Sequence, residues 1–119
     1  MKKILLITGA ILITTCAMAQ GRIELRTVLT GGKGKAVWKT RDSVSQLQAE
    51  LSVEGERLTP GRIYRIVIGP NTWQVVTNAF GAFDFDRRYI GQNRPSIVSG
   101  TVVQVKNAAG QLVLSGVFR

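Results

Sequence analysis

Hydrophobic and polar residues alternate along most of this chain with a period of two. The cleanest stretch is Ser45 to Glu54, where Leu47, Ala49, Leu51 and Val53 fall on one side. Gln46, Gln48, Glu50, Ser52 and Glu54 fall on the other, the pattern of a half-buried strand with one wet face. The same spacing predicts strands at Arg22 to Leu29, with Ile23, Leu25, Thr27 and Leu29 on one side, and at Gly34 to Thr40 around Val37 and Trp38. Ile63 to Ile68 is nearly continuously apolar and reads as a central strand. Trp73 to Thr77 and Ala82 to Asp86 follow, the latter with Phe83 and Phe85 on one face and Asp84 and Asp86 on the other. Thr101 to Lys106 and Gln111 to Phe118 close the chain as a hairpin.

Turn residues separate these runs: Pro60-Gly61, Gly69-Pro70-Asn71, Asn78 to Gly81 and Asn107 to Gly110. Arg87 to Gly100 is the one long stretch read as irregular, and segments of that length are often functional. Helical periodicity is nearly absent and no β-α-β alternation occurs. The expectation is an all-β domain of seven or eight strands, an antiparallel Greek-key (Ig-like) β-sandwich, with a small barrel as the alternative.

The segment Leu58-Thr59-Pro60-Gly61-Arg62-Ile63-Tyr64-Arg65-Ile66-Val67-Ile68 resembles the L-x-P-G-x-x-Y-x-V-x-V segment of fibronectin type III domains. That resemblance implies a tyrosine corner, with the Tyr64 hydroxyl bonded back to the backbone at a Greek-key crossover. It departs from the family in position, because 55 residues follow Tyr64 here and only a final hairpin follows the tyrosine there. A fainter likeness is to copper/zinc superoxide dismutase, whose Pro-Gly turn leads into a histidine-rich strand. Ile63 to Ile68 has no histidine, so no metal chemistry carries over.

The first residues break the alternation. Lys2 and Lys3 precede an apolar run from Ile4 to Ile13, and Ala17-Met18-Ala19 stands before Gln20. A charged start, an apolar stretch and an A-x-A site are the parts of a secretory signal peptide. The expected division is residues 1–19 as signal peptide and 20–119 as the domain, secreted or periplasmic and of bacterial type. Ile4 to Ala19 is shorter than the roughly 20 residues that span a bilayer, so no transmembrane helix is expected in the mature chain. Lipidation at Cys16 is the alternative, disfavoured because Thr15 precedes it where Gly, Ala or Ser is usual.

Composition then narrows the chemistry. The chain has no histidine and its single cysteine, Cys16, lies in the expected signal peptide. That removes imidazole bases, the usual catalytic triads, thiol nucleophiles and most zinc or copper sites. No cofactor is expected, and a disulfide-free domain has to hold by packing alone. Gly31-Gly32-Lys33-Gly34-Lys35 fails as a phosphate loop, since Leu29 stands where the first glycine belongs and Ala36 replaces the Ser or Thr. Asp84-Phe85-Asp86 places two carboxylates on one strand face, about 7 Å apart. This is the one candidate pair for glycoside hydrolysis, with a solvated strand face as the plainer reading.

Beyond residue 19 the chain carries 14 Lys and Arg against 7 Asp and Glu, a net charge of +7. Such a surface attracts anionic envelope polymers or glycans. Two groups are candidates for a binding surface: Arg87, Arg88, Tyr89, Asn93 and Arg94 in the long connection, and Lys33, Lys35, Trp38 and Lys39 with Arg41 near the start. Arginine beside tyrosine suits anionic groups, sugar stacking or a protein hot spot. Basic residues around an aromatic suit polyanions, though no specific nucleic-acid motif accompanies them. The functional expectation is a non-enzymatic module with a binding or structural role at the cell envelope or outside the cell. Polyanion or glycan binding is the alternative, and a hydrolase using Asp84 and Asp86 a third.

Overall fold

The computed structural model describes residues 21–91 and 93–119; the expected signal peptide with Cys16 lies outside them. The described chain is all-β, with eight antiparallel strands: β1 (Arg22–Leu29), β2 (Lys33–Asp42), β3 (Leu47–Glu56), β4 (Ile63–Ile68), β5 (Asn71–Val76), β6 (Phe83–Ile90), β7 (Val102–Asn107) and β8 (Leu112–Val117). They form two four-stranded sheets, ordered β1-β2-β3-β6 (sheet 1) and β5-β4-β7-β8 (sheet 2).

The alternation seen in the sequence sets which side chains meet. Leu25, Leu29, Ala36, Trp38, Ala49, Leu51 and Val53 from sheet 1 are buried with Tyr64, Ile66, Ile68, Val103, Val105 and Leu114 from sheet 2, in one core. β4 is central in sheet 2, between β5 and β7, as its apolar run predicts. It is one-sided, however: Tyr64, Ile66 and Ile68 are buried while Ile63 and Arg65 face solvent.

One lateral side of the two sheets is stitched by backbone. Arg26 and Arg119 exchange two N–H to carbonyl bonds of 3.1 Å, and Thr30 and Ser115 exchange another two of 2.8 and 3.1 Å. The opposite side is covered by side chains, with Trp73 of β5 against Phe85 of β6 at a ring separation of 5.7 Å.

The end of the molecule that holds the 57–62 turn is pinned by Thr77, which is buried. Its hydroxyl donates to Thr59 O at 2.6 Å and accepts from Arg62 N at 3.0 Å, while its own N–H donates to Arg62 O. Thr59 N donates to the Tyr64 hydroxyl at 3.1 Å. Gly81 closes this corner at φ +75°, and a Cβ there would sit 2.0 Å from Leu58 O, so only glycine fits. Gly55 is needed for a different reason: the Phe83 ring lies where its Cβ would be.

The structure corrects the expectation for Arg87 to Gly100. Arg87, Arg88, Tyr89 and Ile90 belong to β6, paired with Leu51, Glu50, Ala49 and Gln48 of β3, so the irregular connection starts at Gly91. The period of two continues through them, with Phe83, Phe85, Arg87 and Tyr89 on the inner side. Arg87 hid the pattern because a charge occupies an inward slot. That slot is tolerable because β6 is an edge strand and Arg87 reaches solvent.

Candidate binding surface

β2 sends Lys33, Lys35, Lys39 and Arg41 to the outer face of sheet 1, and strand pairing places an acid beside three of them. Lys33 is 3.4 Å from Glu56, Lys35 is 3.7 Å from Glu54 and Lys39 is 3.8 Å from Glu24. Arg88 reaches Glu50 at 3.8 Å, and Arg26 bonds Glu24. Exposed pairs of this kind contribute little to stability. Their effect is on the field, since each acid cancels the cation that the sequence offered as a polyanion contact. Trp38, between Lys35 and Lys39 in sequence, points to the opposite face and is 2% exposed. It is a core residue and leaves the candidate surface.

The second expected group is dispersed as well. Arg94 makes a bidentate pair with Asp42, Nη1 to Oδ1 at 2.8 Å and Nη2 to Oδ2 at 3.0 Å, and also donates to Gln48 O. This pair holds the Asp42 carboxyl below its usual value, chiefly through the hydrogen bonds from Arg94. Arg94 thereby ties the connection after β6 to the end of β2. Tyr89 is half-buried and packs on Trp38 at 6.2 Å between rings. Of the five residues, Arg87 and Asn93 remain exposed beside the exposed but paired Arg88.

Asp84 and Asp86 lie exposed on the outer face of edge strand β6, opposite Glu54 and Ser52. Asp86 accepts a hydrogen bond from Ser52 Oγ at 2.6 Å. Partial burial raises the Asp84 pKa, and repulsion from Asp86 and Glu54 adds to the shift. Asp84 borders a shallow open groove with Glu54, Glu56 and Val76, and Asp86 does not line it. The two carboxylates therefore do not converge on a shared cleft.

Strand by strand, the charges separate. All seven acids of the chain lie on sheet 1: Glu24 on β1, Asp42 on β2, Glu50, Glu54 and Glu56 on β3, Asp84 and Asp86 on β6. Eight cations share that sheet. The remaining described cations are Arg57, Arg62, Arg65, Arg94, Lys106 and Arg119, and of these Arg94 has its acid on sheet 1.

Sheet 2 carries no Asp or Glu. On its outer face Arg65 of β4 stands directly opposite Lys106 of β7. Gln74 of β5 flanks Arg65, and Gln104 lies two residues from Lys106 on the same face. Arg62 borders an open groove between the 59–64 segment and the Asn107–Ala109 turn, at the same end of the sheet.

Chain-level pattern reading missed this segregation because it compares neighbours along the sequence. Pairing Lys33 with Glu56 and Arg65 with Lys106 requires the strand register. The signal available earlier was modest: between Arg57 and Ala82, and again from Arg87 to Arg119, the chain has no acid at all.

Compared with protein-family models, curated proteins and solved structures, this chain matches none.

Proposed function

We propose that this protein is a non-enzymatic binding module of the bacterial envelope or extracellular space, and that it holds anionic polymers on its acid-free side. The observation that carries the reading is the confinement of all seven acids to sheet 1. A net charge of +7 spread evenly would serve solubility alone. Here sheet 1 is nearly neutral, while Arg65 and Lys106 on sheet 2 have no acid on their sheet and raise the local concentration of an anionic partner there.

Export is supported by the arrangement of residues 1–19: Lys2 and Lys3, the apolar run and Ala17-Met18-Ala19. The non-enzymatic reading is supported by the absence of histidine, by the place of Cys16 within that segment and by the exposed, open face of β6 on which Asp84 and Asp86 lie.

We also propose an Ig-like Greek-key sandwich as the scaffold. Its support is the strand order. β2-β3-β6 and β5-β4-β7-β8 follow the succession of the two Ig-type sheets, with β1 added outside β2. Tyr64 is on β4 and not on the penultimate strand, so its corner is a local device here and not the fibronectin one transplanted.

The test is retention on dextran sulfate resin. Retention that persists at physiological salt and falls steeply above it is expected. Elution with the void volume at physiological salt would overturn the reading.

A further inference from the structure

Resting on the polyanion reading, we infer that the outer face of sheet 2 is the site, and that its ligand is an acidic polysaccharide lying across β4 and β7. Arg65 and Lys106 form its centre and Gln74 and Gln104 its flanks, with Arg62 at the rim of the sheet beside the Asn107–Ala109 turn.

Three observations converge on this face. First, Arg65 and Lys106 are cross-strand neighbours, about 5 Å apart at Cβ, with no carboxylate on any strand of their sheet. Two like charges held side by side are unfavourable until an anion bridges them. Second, the third cation is fixed in place. Both the N–H and the carbonyl of Arg62 are bonded to the buried Thr77, which holds its backbone at the rim of the sheet, beside Ile63 and the Asn107–Ala109 turn. Third, the side chains beside Arg65 and Lys106 are neutral hydrogen-bonding groups, Gln74 and Gln104, on two neighbouring strands.

The chemistry of the face selects among polyanions. Sugar hydroxyls are met by side-chain amides that donate and accept, while the acid groups are met by Arg65 and Lys106. Single-stranded nucleic acid asks for aromatic platforms, and no Phe, Tyr or Trp points outward from β4, β5, β7 or β8. A membrane surface asks for a contiguous apolar patch of several side chains, whereas here Ile63 and Val76 form one cross-strand pair and Val102 and Leu112 stand apart on β7 and β8. The rival cation pair on sheet 1, Arg22 opposite Arg41, shares its depression with Lys39, Arg88 and two acids, Glu24 and Glu50, so the field there is of mixed sign, unlike that over sheet 2.

The test uses the purified full chain, with alginate as the carboxylate polymer and dextran as its neutral counterpart. Binding is read by titration calorimetry over a range of salt. Alginate is expected to bind and dextran not to. The double variant R65Q/K106Q is expected to weaken alginate binding at least tenfold and to flatten the salt slope by about two. Its thermal midpoint should stay level or rise, which separates lost contacts from lost folding. The charge-matched K33Q/K35Q variant is expected to bind within about twofold of wild type.

If K33Q/K35Q lost the binding and R65Q/K106Q kept it, the assignment to sheet 2 would be wrong while the polyanion reading survived. Tighter binding to single-stranded DNA or to phosphatidylglycerol vesicles than to alginate would overturn the polysaccharide class. Equal binding to dextran would overturn the role of charge, and no binding to any of these polyanions would remove both the inference and the reading beneath it.

Discussion

Arg65 and Lys106 face each other across the β4–β7 ladder, and no strand of their sheet carries an acid to separate them. Repulsion between directly opposed like charges destabilises a sheet by roughly 0.2–1 kcal/mol. K106E turns the pair attractive and is expected to stabilise the fold by about 0.5 kcal/mol or slightly more at low ionic strength. The gain should shrink as salt is added. Urea unfolding at low and high salt measures it. An unchanged or lowered midpoint at low salt would mean the two side chains splay apart. Because the same change is expected to weaken polyanion binding, stability and binding should move in opposite directions.

Tyr64 gives a sharper stability test. It is 5% exposed and its hydroxyl takes the Thr59 N–H at 3.1 Å, closing the turn that leads into β4. Tyr64→Phe keeps the ring in the core and strands that N–H, at an expected cost of about 1–2 kcal/mol. The denaturant slope should not change, since the same surface is buried. A loss below about 0.3 kcal/mol would mean that water replaces the hydroxyl and that the corner is incidental.

Strand existence was readable wherever alternation was uninterrupted. Leu47 to Val53 keeps its inward side free of charge, and the observed inward set matches it residue for residue. Reading failed at Arg87, where a cation in an inward position of an edge strand looks like the start of a loop. The candidate surface was harder to see, because what neutralises Lys33 is a residue 23 positions away, brought beside it only by the β2–β3 register. Trp38 shows the same limit from the other side. Its neighbours Lys35 and Lys39 advertise a basic patch, but the odd and even positions of β2 point to opposite faces.

The acidic strip on β6 has the opposite balance to sheet 2. Asp84 has its pKa raised by partial burial first, then by Asp86 and Glu54, so ionising it costs more in the folded chain than in the unfolded one. A carboxyl whose folded pKa is raised adds stability that is fully present below its unfolded value, near 3.9, and is lost as pH rises through the folded value. Asp84→Asn is therefore expected to stabilise the protein at neutral pH by a few tenths of a kcal/mol, after solvent screening of an exposed site. The advantage should vanish in acid, where Asp84 is protonated. Thermal midpoints of both proteins across the acid range measure it, and an advantage that persisted below the carboxylate range would trace to packing and not to charge.

Asp42 titrates the other way. The two hydrogen bonds from Arg94 favour its ionised form, so its folded pKa lies below the unfolded value. Stability from the pair is present above about pH 4 and is lost as pH falls through the folded value. The two side chains are only partly exposed, 21% and 27%, and Arg94 also caps Gln48 O, so the pair anchors the 91–98 connection to the ends of β2 and β3. Arg94→Gln is expected to cost about 1–2 kcal/mol at neutral pH, between an exposed pair and a buried charged hydrogen bond. The difference from wild type should narrow in acid, as Asp42 takes up its proton in both proteins. Amide exchange gives a second, local readout. Thr101 N, bonded to Val98 O, should exchange faster in Arg94→Gln, while the amides of β3 that pair with β2 keep their protection. Equal slowing or speeding of both sets would mean that Arg94 supports the whole fold and not this one connection.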